Sequence, residues 1–284
     1  MTLLKEQMRA FDILRHIAST LNHSGIENPD KEAESIIREV VGIERVKLYS
    51  ENPILSRYQI EAIGEIVIRR ENREPIQYIF GYAEFYGIKI KVGKGVLIPR
   101  PETELVVEQG VKILKENPEA VALDLCTGSG AIAVSLAKHI SHADIYAVDV
   151  SESALRYAEE NKEYQGLKNM HILKGWLFEP VRGMRFDLIV SNPPYIKSSI
   201  IDTLQPEVRD WEPKEALNGK EDGLYFFKEI LKDAPVYLNP GGSVILEVGQ
   251  GQAEEVVKIA KDSGLGIVSK IKDYADIERV LVLR

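Results

Sequence analysis

The regular alternation of helical and strand patterns after Pro101 constrains the fold of this chain more than any other feature. The predicted strands cover 120–125, 144–149, 170–174, 186–190, 243–248, 266–271 and 278–284, and the predicted helices cover 102–116, 130–140, 152–165, 223–232 and 252–263. Alternation of this kind builds a mostly parallel sheet with helices on both faces. We therefore predict an α/β fold with a doubly wound, mostly parallel, seven-stranded sheet. Ligands of such folds bind at the carboxyl ends of the strands, so the residues that follow each strand are the first candidates for a site.

The first 75 residues show helical patterns and no strand pattern. Apolar residues recur at helical spacing over 11–21, and Asn28 and Pro29 are typical of the start of a second helix. Ser56 with Gln59 fits a capping box at the start of a third, which continues as far as Arg70. We interpret this stretch as a small helical bundle whose apolar stripes form its core.

A change of period follows the helical stretch. Residues 88–92 alternate apolar and polar side chains, residues 93–95 (Gly-Lys-Gly) can turn, and residues 96–98 are apolar again, which predicts a linking β-hairpin. The resulting domain prediction is a helical domain over 1–75, a hairpin linker over 76–100 and an α/β domain over 101–284.

Charge and composition narrow the functional classes. The formal net charge is −8, and residues 101–284 contain 30 Asp+Glu against 21 Lys+Arg, which disfavours a stable nucleic-acid partner. The first seven residues lack a basic start followed by an apolar run, and no window resembles a membrane span, so we expect neither secretion nor a membrane partner. The single cysteine, Cys126, cannot form an internal disulfide, and no Cys/His cluster has zinc-site spacing, so no metal is expected. These features suit a cytoplasmic protein.

A glycine-containing loop follows the first predicted strand of the α/β part. Its residues are Cys126-Thr127-Gly128-Ser129-Gly130, and glycines at a strand-to-helix turn let a ligand approach the backbone. The second strand ends at Asp149, where a carboxylate can accept hydrogen bonds from both ribose hydroxyls. Gly128-x-Gly130-x-x-Ala133 followed by an acid also matches the dinucleotide fingerprint, so these residues alone fit NAD or S-adenosylmethionine.

Asp124 favours S-adenosylmethionine over NAD. It lies on the strand just before the glycine loop, where an acid would repel the phosphates of a dinucleotide. S-adenosylmethionine has no phosphate and carries a cationic ammonium and a cationic sulfonium, which acidic groups attract.

The segment Asn192-Pro193-Pro194-Tyr195, which directly follows the fourth strand, carries the most specific chemistry. Methylation of a planar nitrogen requires that its hydrogens be bound while the nitrogen is aligned with the methyl donor. The Asn192 side-chain oxygen and the Pro193 carbonyl can supply two acceptors, and the Pro194 ring limits the conformation of the residue before it. The Tyr195 ring can lie on the flat face of an amide or a base. Such a site acts by orientation and electrostatic preorganisation and needs no strong base.

These residues resemble the class I S-adenosylmethionine-dependent methyltransferases that act on planar amino groups. Three further segments, Glu74–Gly81, Ile98–Glu104 and Glu212–Leu217, resemble the peptide chain release factor glutamine methyltransferases, the HemK/PrmC family. The resemblance spans nearly the whole chain. It implies N5-methylation of the glutamine in the Gly-Gly-Gln motif of class 1 release factors, which would be the protein substrate. We expect the enzyme to be a monomer.

The resemblance also assigns roles by position. It places Thr127, Gly128, Ser129 and Gly130 around the methionine part of the cofactor, Asp149 on its ribose and Trp176 beside its adenine. It gives Asn192 contacts with both cofactor and glutamine, and lets Pro193, Pro194 and Tyr195 complete the substrate pocket. Cys126 departs from the family, which usually has glycine there; we expect it to have a negative φ and a buried thiol with no catalytic role. Arg100, Glu102 and Glu104 match a family motif whose chemistry does not follow from spacing.

Three alternatives remain open from the sequence. Adenine-N6 and guanine-N2 nucleic-acid methyltransferases carry similar Asn-Pro-Pro-Tyr turns, although the acidic α/β part counts against them. An NAD-dependent oxidoreductase would explain the glycine fingerprint but leaves the turn at Asn192 without a purpose. A non-catalytic protein that keeps the cofactor as a structural element would not need the intact Asn-Pro-Pro-Tyr tetrad.

Overall fold

The computed structural model describes residues 8–284. Residues 1–7 lie outside the described part. They include the start of the predicted helical domain and the residues from which we expect no secretion signal. Within residues 8–284, no helix combines the length and the apolar character needed to cross a bilayer.

The described chain contains eleven α-helices and eleven strands. The helices are α1 (Ala10–His23), α2 (Pro29–Val41), α3 (Arg45–Glu51), α4 (Arg57–Glu71), α5 (Ile76–Phe80), α6 (Glu104–Leu114), α7 (Ala131–His139), α8 (Glu152–Gln165), α9 (Pro206–Arg209), α10 (Tyr225–Tyr237) and α11 (Ala253–Asp262). The strands are β1 (Met8–Arg9), β2 (Ile54–Leu55), β3 (Tyr82–Phe85), β4 (Ile88–Lys91), β5 (Val121–Leu125), β6 (Asp144–Asp149), β7 (Met170–Lys174), β8 (Phe186–Ser191), β9 (Leu238–Glu247), β10 (Ile267–Lys272) and β11 (Glu278–Leu283).

The predicted seven-stranded sheet is confirmed. Its strand order is β10-β11-β9-β8-β5-β6-β7; β7, β6, β5, β8 and β9 are parallel, whereas β11 runs antiparallel to both of its neighbours. The chain begins the sheet at β5 and extends it first towards β7 and then, from β8, in the opposite direction. The order therefore reverses between β5 and β8, and at this switch point the loops leave a crevice at the carboxyl ends of the strands.

Burial on both faces explains why most residues of the central strands are apolar. Leu188 and Ile189 are successive residues of β8 that point to opposite faces, and both are fully buried, as expected where helices cover both faces of a parallel sheet. The helix after β6 begins where Ser151 caps it, because the Ser151 hydroxyl accepts a hydrogen bond from the Ala154 N–H at 3.3 Å.

The described residues pack as two compact units, one formed by residues 8–80 and 206–211 and the other by residues 81–205 and 212–284. In the described part of the first unit, α1, α2 and α4 enclose an apolar core that includes Ile17, Leu21 and Ile37. The predicted capping box is confirmed, since Ser56 and Gln59 exchange both of its hydrogen bonds at the start of α4.

Short segments of the N-terminal prediction need correction. β1 and β2 pair over two residues each, and α3 is an extra helix, although the sequence showed no strand pattern there and no third apolar stripe before residue 56. Asn28 precedes α2 as expected, but its backbone is left-handed (φ 54°) and its side chain makes no capping hydrogen bond.

The hairpin is also shifted from its predicted position. It pairs β3 with β4, and Tyr86-Gly87, both with positive φ, form its two-residue turn, whereas the prediction placed the turn at residues 93–95. Two-residue turns with positive φ match the twist of antiparallel strands, so the tighter turn determines the register. Residues 96–98 lie outside any strand.

Residues 206–211 belong to the helical unit although they lie between β8 and β9 in sequence. Glu207 in α9 accepts hydrogen bonds from Arg70 at 2.8 Å and from Arg73 at 2.6 Å, and Arg70 also binds Glu32 at 2.7 Å. Arg70 is only 4% exposed, so its charge depends on these two carboxylates for compensation. This buried cluster fastens the segment to the helices.

Candidate active site

The loop after β5 is organised by a buried carboxylate. Asp124 is fully buried, and its Oδ2 accepts hydrogen bonds from the Thr127 hydroxyl at 2.6 Å and from the Ala133 N–H at 3.2 Å. Its Oδ1 has no hydrogen-bond partner among residues 8–284. Burial raises the pKa of the Asp124 carboxyl to about 7, against the lowering effect of the hydrogen bonds from Thr127 and Ala133.

Cys126 contradicts the predicted backbone. Its φ is +59°, in the left-handed region, where we expected a negative value. The loop must turn sharply between the end of β5 and Thr127, whose N–H donates to the Val148 carbonyl at 3.1 Å, and this requirement overrides the preference of a side chain for negative φ. Cys126 is partly buried and borders the cavity described below, and desolvation raises the pKa of its thiol, so a thiolate is disfavoured.

Asp149 joins the end of β6 to the glycine loop. Its Oδ2 accepts from the Gly128 N–H and its Oδ1 from the Ser151 N–H, both at 2.9 Å. Each carboxylate oxygen has two lone pairs, so the group keeps acceptor capacity for a ligand. Burial raises the pKa of Asp149, and the backbone hydrogen bonds oppose that shift.

Gly130 is required by both conformation and space. Its φ is +79°, and a Cβ added there would lie 3.2 Å from the Ala158 Cβ and 3.3 Å from the Met170 Cε. The residue therefore lets α7 start close to α8.

The turn after β8 lies beside the glycine loop. The Ser191 hydroxyl donates to the Leu125 carbonyl at 2.7 Å, which ties the ends of β8 and β5 together. Pro193 and Pro194 are buried, and the Tyr195 carbonyl accepts from the Gln252 side chain at 3.0 Å. These contacts hold the turn rigidly at the crevice.

A cavity of ≈ 800 Å³ lies at these strand ends. Of the predicted site residues, eight line it: Cys126, Thr127, Gly128, Ser129, Asp149, Trp176, Asn192 and Pro194. The other four predicted site residues do not line it: Asp124, Gly130, Pro193 and Tyr195. On one side of the cavity, the Trp176 ring lies 5.5 Å from the Phe226 ring, centroid to centroid, and Phe226 and Tyr225 complete an aromatic wall that suits a planar base.

Sequence reasoning missed two residues that contact the predicted site. The Asn192 Nδ2 donates to the Thr103 Oγ1 at 3.1 Å, the Thr103 hydroxyl donates to the Glu247 Oε2 at 2.5 Å, and the Tyr195 hydroxyl donates to the Glu247 Oε1 at 3.2 Å. Glu247 is the last residue of β9, so the rule that ligand-binding residues follow parallel strands could have found it. Thr103 lies in the Arg100–Glu104 motif that spacing left unexplained.

Arg100 and Glu104 of that motif have structural contacts. Arg100 forms an ion pair with Glu212 at 2.7 Å, and Glu212 also accepts from the Ile98 N–H at 3.3 Å. Burial raises the pKa of Glu212 despite the neighbouring guanidinium. Glu104 accepts from the Tyr86 N–H at 2.8 Å and so holds the hairpin turn.

The chemistry of the cavity fits S-adenosylmethionine. Its volume is within the usual range for small-molecule sites, its aromatic wall can contact adenine, and Asp149 has acceptor capacity for ribose hydroxyls. The Oδ1 of Asp124 has no hydrogen-bond partner among residues 8–284, and the ionised form of this carboxyl suits a cationic ligand better than a diphosphate. The strand order, the glycine loop and this acceptor set define a class I S-adenosylmethionine-dependent methyltransferase.

Comparisons with known proteins identify the family. The family model "Methyltransferase small domain" matches residues 104–205, and the model "PrmC N-terminal domain" matches residues 12–81. The release factor glutamine methyltransferase of Thermodesulfovibrio yellowstonii is 44% identical over 279 residues, covering 98% of each chain. The protein of the same name from Geobacter sulfurreducens is 43% identical over 263 residues, covering 92% of this chain and 91% of its own.

A solved structure agrees on the fold alone. The ribosomal protein L11 methylase from Lactobacillus delbrueckii subsp. bulgaricus superposes with a TM-score of 0.50 at 20% identity, covering 72% of this chain and 89% of that one. Identity over nearly the full length, by contrast, decides the family: the chain belongs to the release factor glutamine methyltransferases. It is accordingly an enzyme, and its cofactor is S-adenosylmethionine.

Proposed function

We propose that this enzyme methylates the side-chain amide nitrogen (N5) of the glutamine in the Gly-Gly-Gln motif of class 1 peptide chain release factors. The observation that carries the proposal is that Asn192 and Pro194 line the same cavity as Gly128 and Asp149. An amide-binding turn and a cofactor loop that share one cavity are what methyl transfer to a planar nitrogen requires.

The turn after β8 provides the substrate groups in this proposal. The Asn192 side-chain oxygen and the Pro193 carbonyl accept the two N–H hydrogens of the target amide, which fixes its plane. Tyr195, which does not line the cavity, supports the turn through its hydrogen bond to Glu247, and Pro194 restricts the conformation of Pro193. The bound cofactor supplies an electrophilic methyl group on sulfur. The protein contributes orientation and exclusion of water, which together can account for several kcal/mol of the barrier.

The loops after β5, β6 and β7 provide the cofactor groups. Asp149 binds the ribose hydroxyls, Trp176 contacts the adenine, and the loop from Cys126 to Gly130 borders the methionine part. Asp124 attracts the positive charge of the cofactor through the loop it organises. Cys126 contributes its backbone and no thiol chemistry, consistent with the raised pKa of its thiol.

The proposal is tested by offering labelled S-adenosylmethionine with separate acceptors: an intact class 1 release factor, the same factor with alanine in place of the Gly-Gly-Gln glutamine, tRNA and DNA. We expect label only on the intact factor, with peptide mass spectrometry locating one methyl group on that glutamine. Label on tRNA or DNA and none on the factor would establish a nucleic-acid methyltransferase instead.

We further propose a division of labour along the chain. The helical domain (1–75), with the linker (76–100), binds the folded release factor, while the body (101–284) carries the chemistry. A monomeric enzyme in the cytoplasm without a stable nucleic-acid partner suits this role. A glutamine side chain alone offers far less than the roughly 800 Å² per partner of a standard interface, so a protein substrate needs a second contact.

Exposed apolar side chains on the helical unit offer such a contact. Tyr58 is 80% exposed and Val46 is 79% exposed. We expect Tyr58→Ala combined with Val46→Ser to raise KM for the intact release factor severalfold and to leave KM for a short Gly-Gly-Gln peptide unchanged. Tyr274→Ala, at a fully exposed tyrosine of the other unit, is the matched control. Equal changes in KM for protein and peptide would contradict the assignment.

A further inference from the structure

Four side chains from three different segments form one continuous hydrogen-bonded chain beside the cavity. Asn192 donates to Thr103, Thr103 donates to Glu247, and Tyr195 donates to the other oxygen of Glu247. Thr103 and Glu247 are 3% and 2% exposed, so water does not compete for these bonds. The two donors at the outer ends of the chain are the polar side chains of the Asn-Pro-Pro-Tyr turn.

The direction of each bond follows from the chemistry of the groups. An ionised Glu247 can only accept, so the Thr103 hydrogen must point to Glu247. The Thr103 oxygen then has only lone pairs to offer Asn192, and the Asn192 NH₂ must face it. The Asn192 carbonyl oxygen is thereby the atom left to accept a hydrogen bond from the cavity.

We propose that Thr103 and Glu247 are positioning residues that lock the Asn192 amide with its oxygen towards the target nitrogen and hold the Tyr195 ring through its hydroxyl. The inference rests on the proposed function, because it assumes that Asn192 receives an N–H of the acceptor. Without this lock the Asn192 amide could rotate by half a turn and present donors, which would repel the N–H hydrogens of the acceptor.

The charge state of Glu247 gives the lock a pH dependence. Burial raises the pKa of Glu247 to about 7; Thr103 and Tyr195 lower it by hydrogen bonding, the charge of Glu102 raises it and that of Arg279 lowers it. A protonated Glu247 can donate to Thr103, whose hydrogen is then free to point at Asn192. The direction of the chain is therefore enforced only above about pH 7.

The first test replaces the hydroxyl without changing the shape of the side chain. We expect Thr103→Val to lower the single-turnover rate of methyl transfer about tenfold or more, with the dissociation constant of S-adenosylmethionine, measured by calorimetry, within about twofold of wild type. Thr103→Ser keeps the hydroxyl and should recover most of the rate. Thr203→Val, at an exposed threonine, is the matched control, and thermal unfolding confirms that every variant is folded.

A double-mutant cycle separates positioning from general stabilisation. If Thr103 acts through Asn192, then Thr103→Val should cost little once Asn192→Ala is present. A second comparison uses Glu247→Gln, whose amide oxygen still accepts from Thr103 but does not titrate. With S-adenosylmethionine saturating at every pH, so that the titration of Asp124 does not change cofactor occupancy, the wild-type rate should fall as the pH drops below about 7, and the Glu247→Gln rate should not.

The inference is overturned if Thr103→Val turns over like wild type, or if its loss simply adds to that of Asn192→Ala. Failure of the proposed function looks different, since the wild type itself would then leave the release factor unmethylated. In that case the same variants are compared on whichever acceptor the wild type does methylate. The ratios of their single-turnover rates to the wild-type rate then test the inference in the same way.

Discussion

The Asp149 carboxylate accepts a hydrogen bond from the Gly128 N–H at 2.9 Å, so the end of β6 holds the loop that follows β5. The residue proposed to bind ribose is therefore also the residue that shapes the glycine loop. Loss of the Asp149 carboxylate should therefore affect both the binding of ribose and the conformation of the glycine loop.

The first prediction concerns cofactor affinity. Asp149→Ala should weaken S-adenosylmethionine binding by about 1.5–3 kcal/mol, because charge-assisted hydrogen bonds to the cofactor are lost. Asp149→Asn keeps one acceptor oxygen and should lose less. Calorimetry measures both, and Asp144→Asn, at the exposed start of the same strand, should leave the affinity unchanged. Tight binding of NAD with no binding of S-adenosylmethionine would contradict the site assignment.

The second prediction follows from the φ of +59° at Cys126. At an ordinary position alanine is more stable than glycine, by about 1 kcal/mol in a helix. At Cys126 the order should reverse, with Cys126→Gly at least as stable as Cys126→Ala, because a Cβ is strained at positive φ. Urea unfolding of the two variants decides this. Ala137→Gly in α7 is the control, and its free energy of unfolding should fall by about 1 kcal/mol, as is usual for glycine in a helix.

The third prediction concerns stability against pH. The pKa of Glu247 is about 7 in the folded protein against 4.5 for an ordinary glutamate, so the folded state binds more protons between those values. The contribution of Glu247 to stability is therefore complete below pH 4.5 and is lost as the pH rises through 7.

Glu247→Gln removes this titration. As the pH rises from 4.5 to above 7, the wild type should lose about 3 kcal/mol of its free energy of unfolding relative to Glu247→Gln. Urea unfolding across this range measures it. A difference that does not vary with pH would show that Glu247 titrates normally.

The fourth prediction tests the cluster that fastens residues 206–211. Glu207→Gln leaves Arg73 without this carboxylate and Arg70 with only Glu32, and should lower the free energy of unfolding by about 1–3 kcal/mol. Hydrogen exchange should accelerate in α9. Glu221→Gln, at an exposed glutamate, should change stability by less than about 0.5 kcal/mol. Unchanged exchange in α9 would show that the ion pairs do not hold the segment.

Local patterns predicted the sheet and the strand-end loops well. β6, β7 and α8 have the bounds that periodicity predicted, because their signals lie within a few consecutive residues: apolar runs, the Ser151 cap and Gly166 at the helix end. The alternation did not predict the strand order, because the same alternation is compatible with more than one order.

Contacts between residues far apart in sequence explain most of what was missed. Thr103 and Glu247 are 144 residues apart, and Arg70 and Glu207 are 137 apart, so no local pattern could pair them. The Cys126 error has a different origin, since the intrinsic preference of a side chain for negative φ was outweighed by the turn that the loop must make. The hairpin register was missed because two turn candidates lie close together and the tighter one prevailed.

The placement of residues 206–211 has a consequence for how such chains can be recombined. The chain passes between the two units three times, at residues 80–81, 205–206 and 211–212, rather than once. A single crossover that exchanged only the N-terminal helices with those of a relative would separate Arg70 and Arg73 from Glu207, with which they form hydrogen bonds in this chain. Chimaeric proteins should therefore fold well only when residues 206–211 come from the same parent protein as the N-terminal helices.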